Sequence, residues 1–317
     1  IKELEFDAYE LAKGNLDVEI TNDRTDEIGS LASSFQQMQQ AIKNLIHGLE
    51  DKVAERTQEV VKQKDIIEHK QNEIIDSLNY ASKIQSTLLA NETFLNKYLP
   101  NHFILFKPKD IVSGDFYFAT KTQTHFYIAV CDSTGHGVPG AMMSILNMAF
   151  LNEAINQHKL IKPNEIFNHV RSRLIKNLSK YGGQDGMDGI LFSIEISSNK
   201  ICYAAANNAP IIIRNGEVIE LPCDKMPVGI GLKEDTFNLF DVEIKNGDML
   251  IAYTDGFADQ FGGPKGKKLM YKPLKQQLLN FSVFNVNEQK QKLNLYFENW
   301  RGNNDQVDDV CILGIKF

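Results

Sequence analysis

The sequence predicts an α+β protein: a long helical N-terminal third followed by an antiparallel sandwich of sheets. Three observations carry this. Apolar residues step by three and four through the first part of the chain, the spacing of a helical seam. Strand-like runs dominate the rest. Those runs come in adjacent pairs with turn signals between them, which favours antiparallel pairing over a parallel βαβ sheet.

A short amphipathic segment runs to Lys13 and stops at Gly14-Asn15, a helix-terminating pair. Residues 16–20 alternate apolar and polar as an extended connector. Asp26-Glu27 then opens a new helix, with acid at the positive end of its dipole. Its apolar positions Ile28, Leu31, Phe35, Met38, Ile42, Leu45 and Leu49 alternate steps of three and four, a coiled-coil seam. The seam continues through Val53, Thr57, Val60, Lys64, Ile67, Gln71, Ile74, Leu78 and Ala81, with several polar members. Successive steps of four between Leu45 and Thr57 form a stutter that locally unwinds a supercoil.

Strands are predicted over residues 103–106, 116–119, 126–131, 190–196, 200–206, 211–214, 237–244, 249–253 and 310–317. Helices are predicted over 139–157, 163–180, 273–281 and 286–299. Asn215-Gly216 and Asn246-Gly247-Asp248 read as turns between strands.

Composition narrows the function. The formal net charge is −7 with no offsetting basic stretch, which argues against nucleic-acid binding and suits a site that holds cations on carboxylates. Cys131, Cys202, Cys223 and Cys311 form no CxxC pair, which argues against a zinc site and suits a reducing cytosol. The chain begins at Ile1, as a fragment or processed chain would. Its longest apolar stretch, 141–151, is too short to span a bilayer, and no signal peptide is seen.

The chemistry concentrates in aspartates beside glycine, or in acid pairs, at the edges of apolar strands. They are Asp115 in Val-Ser-Gly-Asp-Phe-Tyr, Asp132 in Val-Cys-Asp-Ser-Thr-Gly-His-Gly, Asp188 in Gly-Met-Asp-Gly, Asp255 in Tyr-Thr-Asp-Gly, and the pair Asp308-Asp309. Singly, each Asp-Gly reads as a turn. Together, crowded carboxylates need a cation to neutralise them, and hard oxygen ligands select Mg²⁺ or Mn²⁺.

The segments 112–117, 132–141, 247–256 and 308–310 resemble, in order, the motifs of the SpoIIE/RsbU-type phosphatases, a bacterial branch of the metal-dependent type 2C protein phosphatases. The resemblance implies a four-layer sandwich of two antiparallel sheets flanked by helices, with two Mn²⁺ or Mg²⁺ ions at one edge. It implies that Asp132 bridges the ions, aided by the Ser133 carbonyl. Asp115 would hold the second ion, and Asp255 with Asp308 the first, Asp309 being the alternative. Water between the ions would attack phosphorus with no covalent enzyme intermediate. The arginine that positions phosphate in eukaryotic relatives has no counterpart, and Lys109 or Lys107 would serve as a point charge. Asp188 has no counterpart either, and reads as an outer residue of the site or a turn at a strand start. His136 is a candidate general acid, or merely shapes its loop.

Gly14-Asn15-Leu16 and the segment 26–32 resemble a HAMP domain, and 52–59 resembles the signalling helix that often follows one. The expected organisation is a HAMP domain over 1–50, a parallel coiled coil and linker over 51–98, and the phosphatase domain over 99–317. This implies a homodimer on the cytoplasmic side of an inner membrane, reached only through a preceding segment. The expected activity is phosphoserine/phosphothreonine hydrolysis on a phosphorylated anti-sigma antagonist or similar regulator. A catalytically inactive, partner-binding module is the alternative, though it leaves the retained aspartates unexplained. A purely structural rod leaves them unexplained as well. His69 is expected to be a solvated coil residue, and Trp300 and Met142, Met143 and Met148 core packing.

Overall fold

The computed structural model describes residues 1–178, 185–233 and 235–317, so residues 179–180 of the helix expected over 163–180 lie outside the described residues. Two units form, Ile1–Ile75 and Asp76–Phe317.

In the first unit, helix α1 (Lys2–Ala12) ends as expected, with Gly14 at φ +91°. The connector after it has no sheet partner, so its carbonyls need other donors. Helix α2 (Glu27–Leu88) supplies them: Gln36 donates to the Ile20 carbonyl at 2.6 Å, and Gln39 to those of Leu16 and Val18 at 2.9 and 2.7 Å. Leu11, Ile20 and Ala32 are buried between these segments. The Asp26 side chain caps α2 by accepting from the Gly29 N–H, and a Cβ on Gly29 would sit 2.0 Å from the Arg24 carbonyl oxygen. The seam residues Leu45, Val53, Val60, Ile67 and Ile74 are 60–64% exposed, which leaves a continuous apolar stripe along α2.

In the second unit, helix α3 (Glu92–Tyr98) follows, and Leu95 and Leu99 are buried in the sandwich core. The strands are β1 (His102–Lys107), β2 (Asp115–Lys121), β3 (His125–Ser133), β4 (Gly186–Glu195), β5 (Ile201–Ala206), β6 (Ile211–Arg214), β7 (Glu217–Glu220), β8 (Val228–Gly229), β9 (Phe240–Val242), β10 (Met249–Tyr253), β11 (Phe261–Gly262), β12 (Lys267–Lys268) and β13 (Val310–Lys316). One sheet runs β2-β3-β4-β5-β9 with β8 on β4, the other β1-β13-β10-β6-β7, and all these strand pairs are antiparallel. Helices α4 (Gly137–Asn152) and α5 (Pro163–Leu178) cover the first sheet. After the short α6 (Gly256–Asp259), α7 (Tyr271–Phe281) and α8 (Val286–Arg301) cover the second. Ile128, Val130, Ile190, Phe192, Leu250, Ala252 and Leu313 fill the space between the sheets. The result is the four-layer α+β sandwich that the sequence implies.

Two elements differ from expectation. The strand expected over 237–244 shrinks to β9, because side chains take its ladder bonds: Phe237 N–H donates to Asn168, and Asn238 N–H to Asp224. The helix expected over 139–157 is α-helical only to Asn152 and continues as a π-turn over Glu153–Gln157.

Candidate active site at the edge of the sandwich

The register of the first sheet places Asp115 opposite Asp132, and Asp132 opposite Asp188, on three neighbouring strands. Residues two apart share a face. The row Tyr117, Val130 and Ile190 packs between the sheets, and two residues further along the same face the row becomes three aspartates. Paired positions lie about 5 Å apart, so three carboxylates are crowded at one strand end.

The second sheet closes the site. Thr254, just beyond β10, is buried; its hydroxyl donates to the Asp115 carboxylate at 2.6 Å and accepts from Cys311 N–H at 2.9 Å. Asp255 follows it, and Asp308-Asp309 precede β13. The two members of that pair differ. One oxygen of buried Asp309 accepts from Lys109 N–H at 2.7 Å, the other from Gly114 N–H at 2.8 Å. Asp309 therefore ties the 109–114 loop to β13, and its oxygens are already engaged. Asp308 lines the cleft.

That cleft, about 230 Å³, is lined by Asp132, Asp188, Asp308, Ser133, Thr134, Gly135, His136, Gly186, Met187 and Pro227. Among the described residues, no lysine or arginine lines it. The glycines of the loops beside Asp115 and Asp132 are there for close approach: a Cβ on Gly114 or Gly140 would lie 2.4 or 2.1 Å from the Gly135 carbonyl oxygen. His136 stands at the rim, its Nδ1 3.3 Å from the Asp110 carboxylate. Lys107 points elsewhere, to Glu298 at 2.8 Å and Asn294 at 2.9 Å, which removes it as a phosphate ligand. Lys109 reaches the site through its backbone N–H.

Electrostatics follow from this crowding. Burial, then Asp132 beside it, raises the Asp115 carboxyl well above its usual value, against the lowering bond from Thr254. Burial, Asp255 and Asp308 raise Asp132 in the same direction. Burial and Asp308 push Asp255 up to about 6. Burial raises Asp188, while an Asn207 side-chain bond at 2.8 Å opposes it.

Two features were not visible in the sequence. One is the role of Thr254. The other is Gln85, buried near the end of α2, which brackets Ser113: its amide donates to the Ser113 carbonyl at 2.6 Å and accepts from Ser113 N–H at 3.1 Å. The same amide donates to Ser144 on α4 at 2.7 Å. In the sequence this stretch shows instead an apolar stripe at helical spacing, Leu78, Ala81, Ile84, Leu88 and Leu89, of which Ile84 and Leu88 are 44% and 45% exposed.

Comparison with known proteins decides the family. The family model for Stage II sporulation protein E (SpoIIE) matches residues 122–317, and the HAMP domain model matches residues 8–44. The chain belongs to the SpoIIE family of PP2C-type phosphatases, with an N-terminal HAMP domain. The SiaA-PP2C domain of Pseudomonas aeruginosa is 30% identical with a TM-score of 0.71, over 78% of this chain and 98% of that one. Protein IcfG of Synechocystis sp. is 27% identical over 278 residues, 78% of this chain. Phosphoserine phosphatase RsbU of Bacillus subtilis is 25% identical over 199 residues, 60% of this chain. The chain spans 40% and 55% of the length of these two curated relatives.

SpoIIE-family membership implies divalent cations, and the donor set here fits them. Its carboxylates are hard oxygen ligands, Asp115 buried and the others half-buried; burial and neighbouring carboxylates raise Asp115, Asp132 and Asp255 in pKa, and no lysine or arginine is among the described lining residues. Sharing cations among them relieves both penalties at once.

Proposed function

We propose that this chain is a divalent-metal-dependent phosphoserine/phosphothreonine protein phosphatase of bacterial signalling. The observation that supports this most is the convergence of Asp115, Asp132, Asp188, Asp255 and Asp308 at one sandwich edge, with no lysine or arginine among the described residues that line the cleft. Asp115, Asp132, Asp255 and Asp308, with the Ser133 carbonyl, would hold two Mn²⁺ or Mg²⁺ ions. Such ions supply Lewis-acid polarisation of a phosphoryl oxygen and a water acidic enough to act as nucleophile.

The chain's own residues do the rest. Thr254 fixes the Asp115 carboxylate by hydrogen bond, and Asn207 does the same for Asp188 at the cleft wall. Asp309 fixes the backbone of the 109–114 loop, and so places Asp115 and Lys109 at the site. His136, exposed at the rim, donates the proton that the leaving seryl or threonyl oxygen requires. An open cleft lined mostly by polar residues suits a phosphorylated side chain on a protein surface, such as a phosphorylated anti-sigma antagonist, better than a small apolar ester.

Regulation would run through α2. The exposed stripe on that helix is a surface for a second copy of the chain in a parallel dimer through HAMP and coiled coil. Gln85, on the same helix, bonds both the segment before Asp115 and helix α4. Displacing it would unseat Ser113, two residues from Asp115. No helix among the described residues is long and apolar enough to cross a membrane, so attachment to one would come from a segment outside this chain.

The test is phosphate release from a phosphoserine protein or peptide. Release is expected with Mn²⁺ and not after chelation. Release unaffected by chelation would sink the proposal.

A further inference from the structure

At the far end of α4 lies a second polar cluster of different chemistry. Among the described residues, Glu153, His158 and His169 are the only His, Cys, Asp or Glu trio whose candidate ligand atoms all lie within 4.8 Å of one another. Glu153 opens the π-turn after α4, His158 follows that turn, and His169 stands on α5. The π-turn makes the meeting possible. It folds the backbone so that His158 N–H donates to the Glu153 carbonyl at 3.0 Å, which carries the imidazole back over the Glu153 carboxylate.

The distances suit a small tetrahedral cation. Ligand atoms held 2.0–2.1 Å from a zinc ion lie about 3.3 Å apart. His158 Nε2 is 3.3 Å from Glu153 Oε1, and His169 Nε2 is 3.8 Å from the same oxygen. The two imidazole centroids are 4.6 Å apart. His169 Nε2 is buried and makes no hydrogen bond, an unmet polar atom aimed at the other two. Arg173 Nε approaches the Glu153 carboxylate oxygens at 3.2 and 3.3 Å, the place of an outer partner that orients a metal-binding carboxylate. His158 is half exposed, which leaves an entry path and a fourth position for water.

We propose that Glu153, His158 and His169 form a Zn²⁺ site that ties the end of α4 to α5. The site is separate from the acidic cleft, by about 24 Å of helix. Its two nitrogens and one oxygen suit a borderline cation, whereas the all-oxygen cleft suits hard ones. It does not depend on the phosphatase reading, and its role is structural: it anchors the helix whose other end carries the metal loop. A search for zinc through CxxC spacing misses it, since it has no cysteine and its successive ligands lie five and eleven residues apart, on a turn and one helix.

The test titrates the metal-stripped full chain with Zn²⁺ against a chromophoric chelator, and with Co²⁺ by visible absorption, which is intense for a four-coordinate nitrogen site and weak for an octahedral oxygen site. One equivalent with the intense four-coordinate Co²⁺ absorption is expected at micromolar concentration, beyond any ions the cleft takes up, and it should persist in Asp132→Asn. His158→Ala and His169→Ala should each weaken it by about a hundredfold or more. His158 is exposed enough that its variant should fold, as circular dichroism would verify. At a hundredfold excess over the dissociation constant, Zn²⁺ should raise Tm by about 5 °C or more in the wild type and not in His158→Ala. Failure of the wild-type chain to take up Zn²⁺, or equal affinity in wild type and His158→Ala, overturns the proposal.

Discussion

Strand β10 carries an aspartate beyond each of its ends, and the two ends treat it oppositely. At one end Asp248, 1% exposed, meets the Arg214 guanidinium in a two-pronged pair at 2.9 and 2.6 Å and accepts from Lys245 N–H at 2.7 Å. The Arg214 bond holds its carboxyl below the usual range. At the other end Asp255 faces Asp308 and Asp259, and burial pushes it up to about 6. A partner supplied by the chain makes a carboxylate part of the scaffold. Carboxylates gathered without one keep their capacity to bind something from outside, at a cost in stability that the rest of the sandwich must offset.

The sharpest way to break this contrast is to neutralise one carboxylate at each kind of end. Asp132→Asn should lower phosphatase turnover by about 1,000-fold or more, since on the proposed reading it removes the ligand that both ions would share. In chelator its Tm should equal or exceed that of the wild type, because repulsion falls. At the opposite end, Arg214→Ala strands the buried Asp248 carboxylate and should lower stability, read as a fall in the urea midpoint, with turnover per folded molecule preserved. A drop in turnover with unchanged stability in Arg214→Ala would erase the distinction.

The pH dependence sharpens it further. Asp255, Asp115 and Asp132 have folded pKa values above the unfolded value of about 4. Below that value both states are protonated. As pH rises through about 6, the unfolded chain has lost protons that the folded chain retains, so stability without metal falls. Asp248 has the opposite sign: its contribution is present above about 4 and is lost as pH drops through its lower folded value. Melting curves from pH 5 to 8 should therefore decline in chelator, and saturating Mn²⁺ should remove the decline. A flat profile in chelator would mean that the cluster carries no such strain.

The smallest expected effect is at Gln85. Gln85→Ala leaves the buried Ser113 N–H without its partner and the Ser113 C=O with only the 3.3 Å bond from Ser144, and should cost about 1–3 kcal/mol, with altered turnover, since the loop before Asp115 loosens. Stability loss alone, with turnover unmoved, would make Gln85 a packing residue rather than a link between helix and site.

How much of this was legible in the sequence depends on the range of the interaction. Asp115, Asp132 and Asp255 stand in short glycine-bearing segments, and Asp308 in an acid pair, all of which are read locally. So does the end of α1 at Gly14. The sandwich was legible because alternating apolar runs and turn residues act within a few positions. Asp188 was ambiguous because only strand register sets it opposite Asp132. Asp309 could not be told from Asp308, because its partners, the N–H groups of residues 109 and 114, lie about two hundred positions away. Gln85 was hidden for a related reason: a glutamine on a helix looks solvated until Ser113 and Ser144 are brought against it. The strand over 237–244 failed because Asp224 and Asn168 compete for its backbone groups.

The most direct test of the contrast between the ends of β10 is to titrate Mn²⁺ into the metal-stripped chain, following binding and phosphate release from a phosphoserine peptide in the same samples. The expected result is no release without Mn²⁺, release that rises with occupancy of the cleft, and loss of both in Asp132→Asn but not in Arg214→Ala. Release that persists in chelator, or Asp132→Asn that binds Mn²⁺ and turns over as the wild type does, would contradict it.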